Sequence, residues 1–251
     1  MAKLESILQF IEGIFDVSEF PDYSHALNGL QVDGPEEIRC LAVGVDASEV
    51  TIQRALEEGA QLLLVHHGLF WDGFGPISGP RFRKVAALIQ GEMALYALHL
   101  PLDAHPELGN CALLIRGMGL EPAGTFAPYK GVDIGVWAQA GLGRDVLGQR
   151  LEEAVGGKVR LIPGGPDMVD RVGVLTGSGA AALSEAAALG LDALVTGEAA
   201  HHNFHEAMEL GVNLFLAGHY ATETFGVKAL AERLAQEFSL EWSFLDFPTG
   251  M

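Results

Sequence analysis

Two apolar patterns alternate along the chain, one with helical spacing and one of short uninterrupted runs. Apolar residues recur at helical spacing over residues 4–14, which predicts that the chain opens with an amphipathic helix. The continuous runs 40–45 and 61–65 predict strands that are buried on both faces. A helical segment over 49–58 separates them, so the three elements form a β-α-β unit, whose crossover helix requires parallel strands.

The same patterns place the remaining elements and their capping residues. Asp46 or Ser48 can cap the helix at 49–58, and Asn110 can cap a later one. We predict further helices over 82–90, 109–117, 145–155, 180–188, 204–210 and 227–238. We predict further strands over 93–98, 132–138, 158–162, 172–174, 191–195, 213–217 and 240–247.

The order of these elements predicts an α/β fold with an internal repeat. The run Val172-Gly173-Val174 matches Val43-Gly44-Val45, and an alternation of strands and helices follows each of them. Between the repeats, over 119–167, glycine and proline become more frequent and the His/Asp clusters vanish. We therefore predict a core of two similar halves, 1–118 and 168–251, with 119–167 as a small inserted subdomain.

An adjacent histidine pair, His66-His67, ends the strand at 61–65 and precedes Gly68. Ligands of open α/β sheets bind at the carboxyl ends of strands. Neighbouring strand residues point to opposite faces, so both imidazoles reach one small ligand only if the strand breaks there, which Gly68 allows. Alternatively, each imidazole holds one ion of a metal pair. The simplest interpretation is that one histidine is packed and the other solvated.

Further candidate donors follow other predicted strands in a repeated form. His99 and Asp103, like His219 and Glu223, fit the pattern H-x-x-x-[DE], and each pair follows an apolar run. Three more candidate donors come after the strand at 191–195: Glu198, His201 and His202.

Imidazoles and carboxylates without thiolates suit zinc, manganese, iron or nickel rather than calcium. A single catalytic zinc ion takes about three protein ligands, which is fewer than the sequence offers. The set fits two metal ions about 3.5–4 Å apart, bridged by a carboxylate and a hydroxide. Such a pair would generate a hydroxide nucleophile and polarise a substrate oxygen.

Two glycine-containing turns each have two interpretations. Asn28-Gly29, in the turn-rich stretch 21–34, is typical turn chemistry, but its loop could also bring Asn28 beside a site. Gly177-Ser178-Gly179 could cradle a phosphate with its backbone N–H groups or simply form a turn before a helix. The second turn lacks the Walker lysine and the dinucleotide glycine spacing, which favours the plain turn.

Charge and cysteine content exclude several classes of protein. The 15 basic and 33 acidic residues give a net charge of −18, which disfavours binding to nucleic acid. Cys40 and Cys111 are only two and lie far apart in the sequence, which argues against a disulfide scaffold or a thiolate zinc site. Residues 1–15 lack the apolar core of a signal peptide, and the alanine-rich stretch near 180–197 is too polar to cross a bilayer. We expect a cytoplasmic protein that is not associated with membranes.

The motifs taken together resemble a known family over nearly the whole chain. They are Asn28-Gly29-Leu30-Gln31, Val65-His66-His67-Gly68, His99-Leu100-Pro101-Leu102-Asp103, Asn110, Thr176-Gly177-Ser178-Gly179, Thr196-Gly197-Glu198 and Gly218-His219-Tyr220-Ala221-Thr222-Glu223. In these motifs the chain resembles the Nif-three-like dinuclear metal-binding proteins, which are also called type 2 homologues of GTP cyclohydrolase I.

The resemblance implies roles for particular residues. The metal ligands would be His66, His67, Asp103, His219 and Glu223. Asp103 or Glu223 would bridge two divalent metal ions of zinc, iron, manganese or nickel. His99 and His202 would lie behind the ligands or face the substrate, where they would act catalytically by moving protons.

The resemblance also implies a three-layer α/β/α fold with a mixed sheet and a toroidal homohexamer whose sites face an internal cavity. The function we expect is that of a metal-dependent hydrolase acting on a small polar or nucleotide-like molecule. The alternative is a non-catalytic protein that binds or delivers metal, or acts as a ring-shaped scaffold.

Overall fold

The computed structural model of the protein describes residues 1–71, 73 and 75–251. Its strands are β1 (Ala2–Lys3), β2 (Gly29–Val32), β3 (Glu37–Ile38), β4 (Cys40–Asp46), β5 (Leu62–His67), β6 (Ala94–Ala97), β7 (Pro122–Tyr129), β8 (Val132–Gly143), β9 (Arg160–Pro163), β10 (Met168–Val174), β11 (Ala193–Thr196), β12 (Asn213–Leu216) and β13 (Glu241–Phe244). Its α-helices are α1 (Leu4–Phe15), α2 (Glu49–Glu57), α3 (Gly79–Gln90), α4 (Leu100–Ala104), α5 (Asn110–Gly117), α6 (Arg144–Val155), α7 (Leu183–Ala188), α8 (His201–Leu210), α9 (His219–Thr222) and α10 (Thr224–Phe238). A 3₁₀ turn over Gly179–Ala182 precedes α7.

The described chain divides into two units by the closeness of its Cα atoms. Unit one comprises 1–102 and 226–247, and unit two comprises 103–225 and 248–251. The predicted insertion, 119–167, supplies β7, β8 and β9 to the sheet of unit two. The division of the chain into a two-halved core and an insertion stays a prediction.

The sheet of unit one has the strand order β13-β4-β5-β6-β2. Strands β13, β4, β5 and β6 are parallel, and β2 is antiparallel to β6. The predicted β-α-β unit is therefore confirmed, with α2 as its crossover. Every residue of β6, and every residue of β5 except His67, is buried, as the uninterrupted apolar runs predicted.

The turn-rich stretch 21–34 contains a strand that the sequence did not predict. The chain turns with positive φ at Leu27 and Gly29, as Asn-Gly chemistry predicted, and then continues as β2. Strand β2 pairs with β6 in a register that sets Leu30 against Tyr96. Its four residues are too few for a periodic pattern, so only the pairing with β6 defines it.

The sheet of unit two has the order β7-β8-β10-β11-β12-β9. Parallel strands β10, β11 and β12 lie at its centre, and β8, β7 and β9 pair antiparallel around them. The prediction of an α/β fold with a mixed sheet is confirmed. Strand β7 was missed because it contains proline, glycine and a residue with positive φ, Ala127, all of which usually mark loops.

Side-chain hydrogen bonds determine where two helices start. Ser48, and not Asp46, caps α2, because its Oγ accepts from the backbone N–H of Thr51. Helix α8 begins at His201 rather than at 204, and Asn203 Oδ1 accepts from the backbone N–H of Ala200 at its start. Within the described residues, every helix is too short or too polar to cross a lipid bilayer.

Replacement of Gly34 by alanine is predicted to destabilise unit one, because a Cβ there would overlap the backbone of Ala94 at the start of β6. The expected loss is about 1–3 kcal/mol of unfolding free energy, the usual range for overpacking. The matched control is Gly13→Ala in α1, where no atom lies within 4 Å of the added Cβ. This control should gain about 0.5–1 kcal/mol from helix propensity. Urea unfolding of the two variants measures both effects, and equal stabilities would contradict the prediction.

Candidate metal centre

Three histidines of unit one come together at the carboxyl ends of two parallel strands. His66 and His67 end β5, and His99 follows β6, which pairs directly with β5. One ligand atom from each imidazole lies within 4.8 Å of those of the other two. The ring centroids of His66 and His99 are 4.9 Å apart, and those of His67 and His99 are 5.6 Å apart. We call these three residues the histidine cluster.

The imidazoles of the histidine cluster have one hydrogen-bonding arrangement in common. The Nδ1 atom of each ring lies against an acceptor outside the cluster: His66 Nδ1 is 2.9 Å from Leu98 O, His67 Nδ1 is 2.9 Å from Asp46 Oδ1, and His99 Nδ1 is 3.0 Å from Asp22 Oδ1. Carbonyl and carboxylate oxygens only accept, so each neutral ring carries its proton on Nδ1. The lone pair of each neutral ring is then on Nε2, which is the form of histidine that binds metal.

The end of β5 is fixed by a close approach at Gly68 and not by the glycine's conformational freedom. Gly68 does not have a positive φ, but a Cβ there would overlap the side-chain amide of Gln31. That amide accepts a hydrogen bond from Leu69 N at 2.7 Å and donates to Leu27 O at 2.9 Å. The loop that follows His67 therefore contacts β2 through Gln31, and β5 ends directly before Gly68, as predicted.

Asp22 is a site-forming residue that the sequence analysis missed. Its side chain is 6% exposed and accepts hydrogen bonds from His99 Nδ1 and from Asn28 Nδ2. Burial by itself raises the pKa of this carboxyl group, but the hydrogen bond and the charge of His99, with the donors Asn28 and Tyr23, outweigh burial and lower the pKa. No spacing or strand-end position singles out Asp22, so only its contact with His99 reveals it.

Two exposed aromatic side chains lie against the histidine cluster. The ring centroid of Trp71 is 4.6 Å from that of His99 and 5.3 Å from that of His67. Tyr23 packs edge-on against Trp71 and tilted against His99, at 6.2 and 5.9 Å. Both side chains stay 40–49% exposed, so an apolar wall beside the imidazoles is open to solvent.

Unit two places an imidazole between two carboxylates. His219 begins α9 and Glu223 follows it by one helical turn, so His219 Nε2 lies 3.2 Å from Glu223 Oε2. His219 Nδ1 is 3.0 Å from Glu198 Oε1, which also accepts from Ser178 Oγ at 2.9 Å. The H-x-x-x-E pattern singled out His219 and Glu223, α9 brings their side chains together, and the parallel pairing of β11 with β12 adds Glu198.

These contacts change the charge states of the residues in unit two. Burial by itself lowers the pKa of His219, but hydrogen bonds and charge interactions with Glu223 and Glu198 outweigh it and raise the pKa to about 9. The hydrogen bond from His219, followed by the one from Ser178, lowers the pKa of Glu198. At neutral pH His219 is thus an imidazolium between two carboxylates in the metal-free protein.

Asp103 is buried in unit two and oriented by two side chains. Its Oδ1 accepts from Asn110 Nδ2 at 2.8 Å and from Thr176 Oγ1 at 3.0 Å. The predicted capping role of Asn110 is wrong, because Gly109 occupies the N-cap of α5 and the amide of Asn110 faces Asp103 instead. Cys111 lies near Thr176, and burial raises the pKa of its thiol to about 12, so it is not a thiolate ligand.

The turn at Gly177 supports Glu223 and does not cradle a phosphate. The N–H groups of Gly177 and Gly179 donate to the hydroxyl oxygens of Thr222 and Thr196, so the turn interpretation is confirmed. Gly177 has a φ of +61°, and a Cβ there would overlap Glu223 Oε1. Glycine is required at this position both by the left-handed backbone and by the carboxylate that packs on it.

The predicted site residues differ in how closely the structure groups them. His66, His67 and His99 form one group, and His219 contacts Glu223. In the described part of the chain, neither Asp103 nor His202 belongs to a group of three donors close enough to share a metal ion. His202 is exposed on the first turn of α8, and its catalytic role stays a prediction.

The donor chemistry of both units fits a divalent transition metal. Unit one offers imidazole nitrogens, and unit two offers an imidazole and buried carboxylates. The outer acceptors that fix each imidazole are of the kind that support metal-binding histidines. A buried group of histidine and glutamate side chains is therefore available to hold a metal.

Comparison with known proteins gives consistent matches over the whole chain. The sequence model of the family described as Duf34/NIF3 (NGG1p interacting factor 3) matches residues 2–249. The "GTP cyclohydrolase 1 type 2 homolog" of Deinococcus radiodurans is 45% identical over 249 residues, which are 98% of this chain and 94% of that protein. The crystal structure of TTHA1606 from Thermus thermophilus is 41% identical and has a TM-score of 0.89, covering 99% of this chain and 100% of the other. Protein ybgI, described as of unknown function, is 35% identical with a TM-score of 0.92 and the same coverage.

The lowered pKa of Asp22 predicts a loss of stability in acid. A carboxyl group whose pKa is lower in the folded state stabilises the fold above its unfolded pKa, which is near 3.8 for Asp22, and this contribution disappears as the pH falls through the folded value. The stability difference between the wild type and Asp22→Asn should thus shrink between about pH 6 and about pH 3. Urea unfolding at both pH values measures it, with exposed Glu237→Gln as a control for net charge. A difference that does not change with pH would contradict the prediction.

Proposed function

This chain belongs to the Duf34/NIF3 family, and on that premise we propose that it is a divalent-metal-binding protein and a metal-dependent hydrolase of a small polar or nucleotide-like molecule. The observation that carries the proposal is the histidine cluster, in which the Nδ1 atom of each imidazole lies against an outer acceptor, so that the lone pair of the neutral ring is on Nε2. Neutral imidazoles held in this way are typical of transition-metal sites. The name of the relatives, GTP cyclohydrolase 1 type 2 homolog, suggests a nucleotide-like substrate.

The proposed metal ligands are His66, His67, Asp103, His219 and Glu223. Burial supports this assignment, because His66, Asp103 and Glu223 are each at most 5% exposed. A buried carboxylate is costly unless hydrogen bonds or a cation compensate its charge. The number of ions, two by resemblance, and their identity among zinc, iron, manganese and nickel stay predictions.

The catalytic chemistry divides between metal and protein. A bound divalent ion would lower the pKa of a coordinated water molecule and polarise a substrate oxygen. In the proposed reaction His99 accepts a proton at Nε2, while its Nδ1–H remains hydrogen-bonded to the Asp22 carboxylate. Trp71 and Tyr23 supply an apolar wall that can pack against a substrate beside His99. His202 is the second candidate for proton transfer.

The assembly and location of the protein also stay predictions. The resemblance implies a toroidal homohexamer, and the expected compartment is the cytoplasm. Native mass spectrometry tests the first expectation by counting the chains in one particle. A monomer or dimer would contradict the hexamer without affecting the proposed chemistry.

Loss of a proposed ligand is predicted to weaken metal binding. His67→Ala and Glu223→Ala should each lower the affinity for Zn²⁺ or Mn²⁺ at least about 10-fold, because each removes a donor atom. Metal analysis after purification without added ions, followed by titration of chelator-stripped protein, measures the change. His205→Gln, which removes an exposed imidazole from α8, is the matched control and should bind metal like the wild type. Equal affinities in all four proteins would contradict the ligand assignment.

Metal-dependent turnover is the test of the hydrolase itself. The wild type loaded with metal should hydrolyse at least one compound in a panel of phosphate esters, carboxylic esters and purine nucleotides. Chelation, His67→Ala and Glu223→Ala should each reduce the rate about 100-fold or more, while His205→Gln should keep it. Full metal loading without turnover on the panel would instead support a protein that binds or delivers metal.

A further inference from the structure

We propose that Asp22 is a positioning residue that holds His99 in the Nδ1–H tautomer and so leaves its Nε2 as the proton acceptor of the site. The proposal deepens the proposed function and rests on it for the role of His99 in catalysis. The tautomer itself is a property of the chain and does not depend on turnover. The observation behind it is a network of hydrogen bonds in unit one that connects the loop before β2 with the end of β6.

Donors converge on the carboxylate of Asp22 from several parts of the chain. His99 Nδ1 lies 3.0 Å from Oδ1 and 3.2 Å from Oδ2, and the backbone N–H of Leu100 donates to Oδ2 at 2.9 Å. Asn28 Nδ2 donates to Oδ2 at 2.8 Å, and the backbone N–H of Tyr23 donates to Oδ1 at 2.6 Å. An ionised carboxylate is the side chain that suits such surroundings, because it accepts at both oxygens and donates at neither.

The direction of these hydrogen bonds determines the proton position on His99. Because Asp22 only accepts, the proton shared with His99 belongs to Nδ1 of the imidazole. The side chains of Asp22 and His99 are 6% and 8% exposed, so water competes little for this contact.

The side chain of Asn28 contacts both Asp22 and His99 and so fixes their relative position. Its Oδ1 accepts from the backbone N–H of His99 at 2.7 Å, while its Nδ2 donates to Asp22 Oδ2. An amide is suited to this position because it accepts with one atom and donates with the other. Both the backbone position of His99 and the orientation of the carboxylate that faces its ring thus depend on the segment that precedes β2.

A second pair in the same unit provides an internal comparison. Asp46 Oδ1 faces His67 Nδ1 at 2.9 Å, and the two residues are register partners in β4 and β5. The side chain of Asp46 is 40% exposed, against 6% for Asp22. Water can take over from a carboxylate at an exposed position much more readily than at a buried one. The two aspartates therefore form a matched pair for substitution.

The tautomer can be measured directly in metal-free protein. With ¹⁵N-labelled histidine, long-range ¹H–¹⁵N correlation spectra distinguish Nδ1–H from Nε2–H rings, and a His99→Gln spectrum identifies the signal of His99. At about pH 8.5, where an ordinary histidine is neutral, the wild type should show His99 as the Nδ1–H tautomer. A wild-type ring in the Nε2–H form would overturn the proposal, whether or not any variant folds.

The substitution Asp22→Asn tests the cause of the tautomer. The change is isosteric, but it places an amide NH₂ among N–H donors, so the His99 ring should convert at least partly to the Nε2–H form. Asp46→Asn is the matched control and should leave the His99 signal unchanged. A folded Asp22→Asn protein with the wild-type His99 spectrum would overturn the role of Asp22.

An activity measurement separates this inference from the proposed function. If the wild type hydrolyses a compound of the panel, Asp22→Asn should lower kcat about 100-fold with KM and metal content little changed. Retention of kcat within about twofold would overturn the positioning role, even though the hydrolase would stand. If the wild type shows no turnover, the proposed function fails and the spectra alone decide the tautomer.

Discussion

The parallel pairing of β5 with β6 is the constraint on which the histidine cluster depends. The register sets Val65 against Ala97, so the residues that follow each strand emerge at one edge of the sheet. Strands that are buried on both faces cannot easily slip, because a shift by one residue would exchange the faces of every side chain. The hydrophobic effect that packs Leu63, Val65 and Leu95 into the core of unit one therefore also fixes where His66, His67 and His99 lie.

Burial of polar groups at these strand ends imposes a second condition. An imidazole or carboxylate that leaves water needs hydrogen-bond partners, or its burial costs several kcal/mol. In unit one, Leu98 O and Asp22 meet this need for His66 and His99. In unit two, Asn110 and Thr176 meet it for Asp103, and His219 forms an ion pair with Glu223. The same hydrogen bonds that make burial tolerable also orient the donor atoms, so stability and chemistry have a common origin.

A close neighbour in the folded chain decides the role of several small or polar residues. Gly68 gives space to Gln31, Gly177 gives space to Glu223, and Asn110 faces Asp103 instead of capping its helix. Each assignment from sequence used only the local propensity of the residue. Strands β2 and β7 were missed for a related reason, because their existence depends on pairing with β6 and β8 and not on their own residues.

The sequence by itself determined the α/β class, most of the helices and strands, and the positions of His66, His67, His99, His219 and Glu223 beside strand ends, because hydrophobic periodicity and strand-end position are local properties. The sequence did not predict α9, the helical turn that brings His219 next to Glu223. Only the tertiary structure decided the partner of each imidazole and therefore its tautomer. Asp22 and His99 are 77 positions apart, and no pattern in either segment records that their side chains meet. That contact exists because β2 pairs with β6, and a long-range pairing is a property of the folded chain.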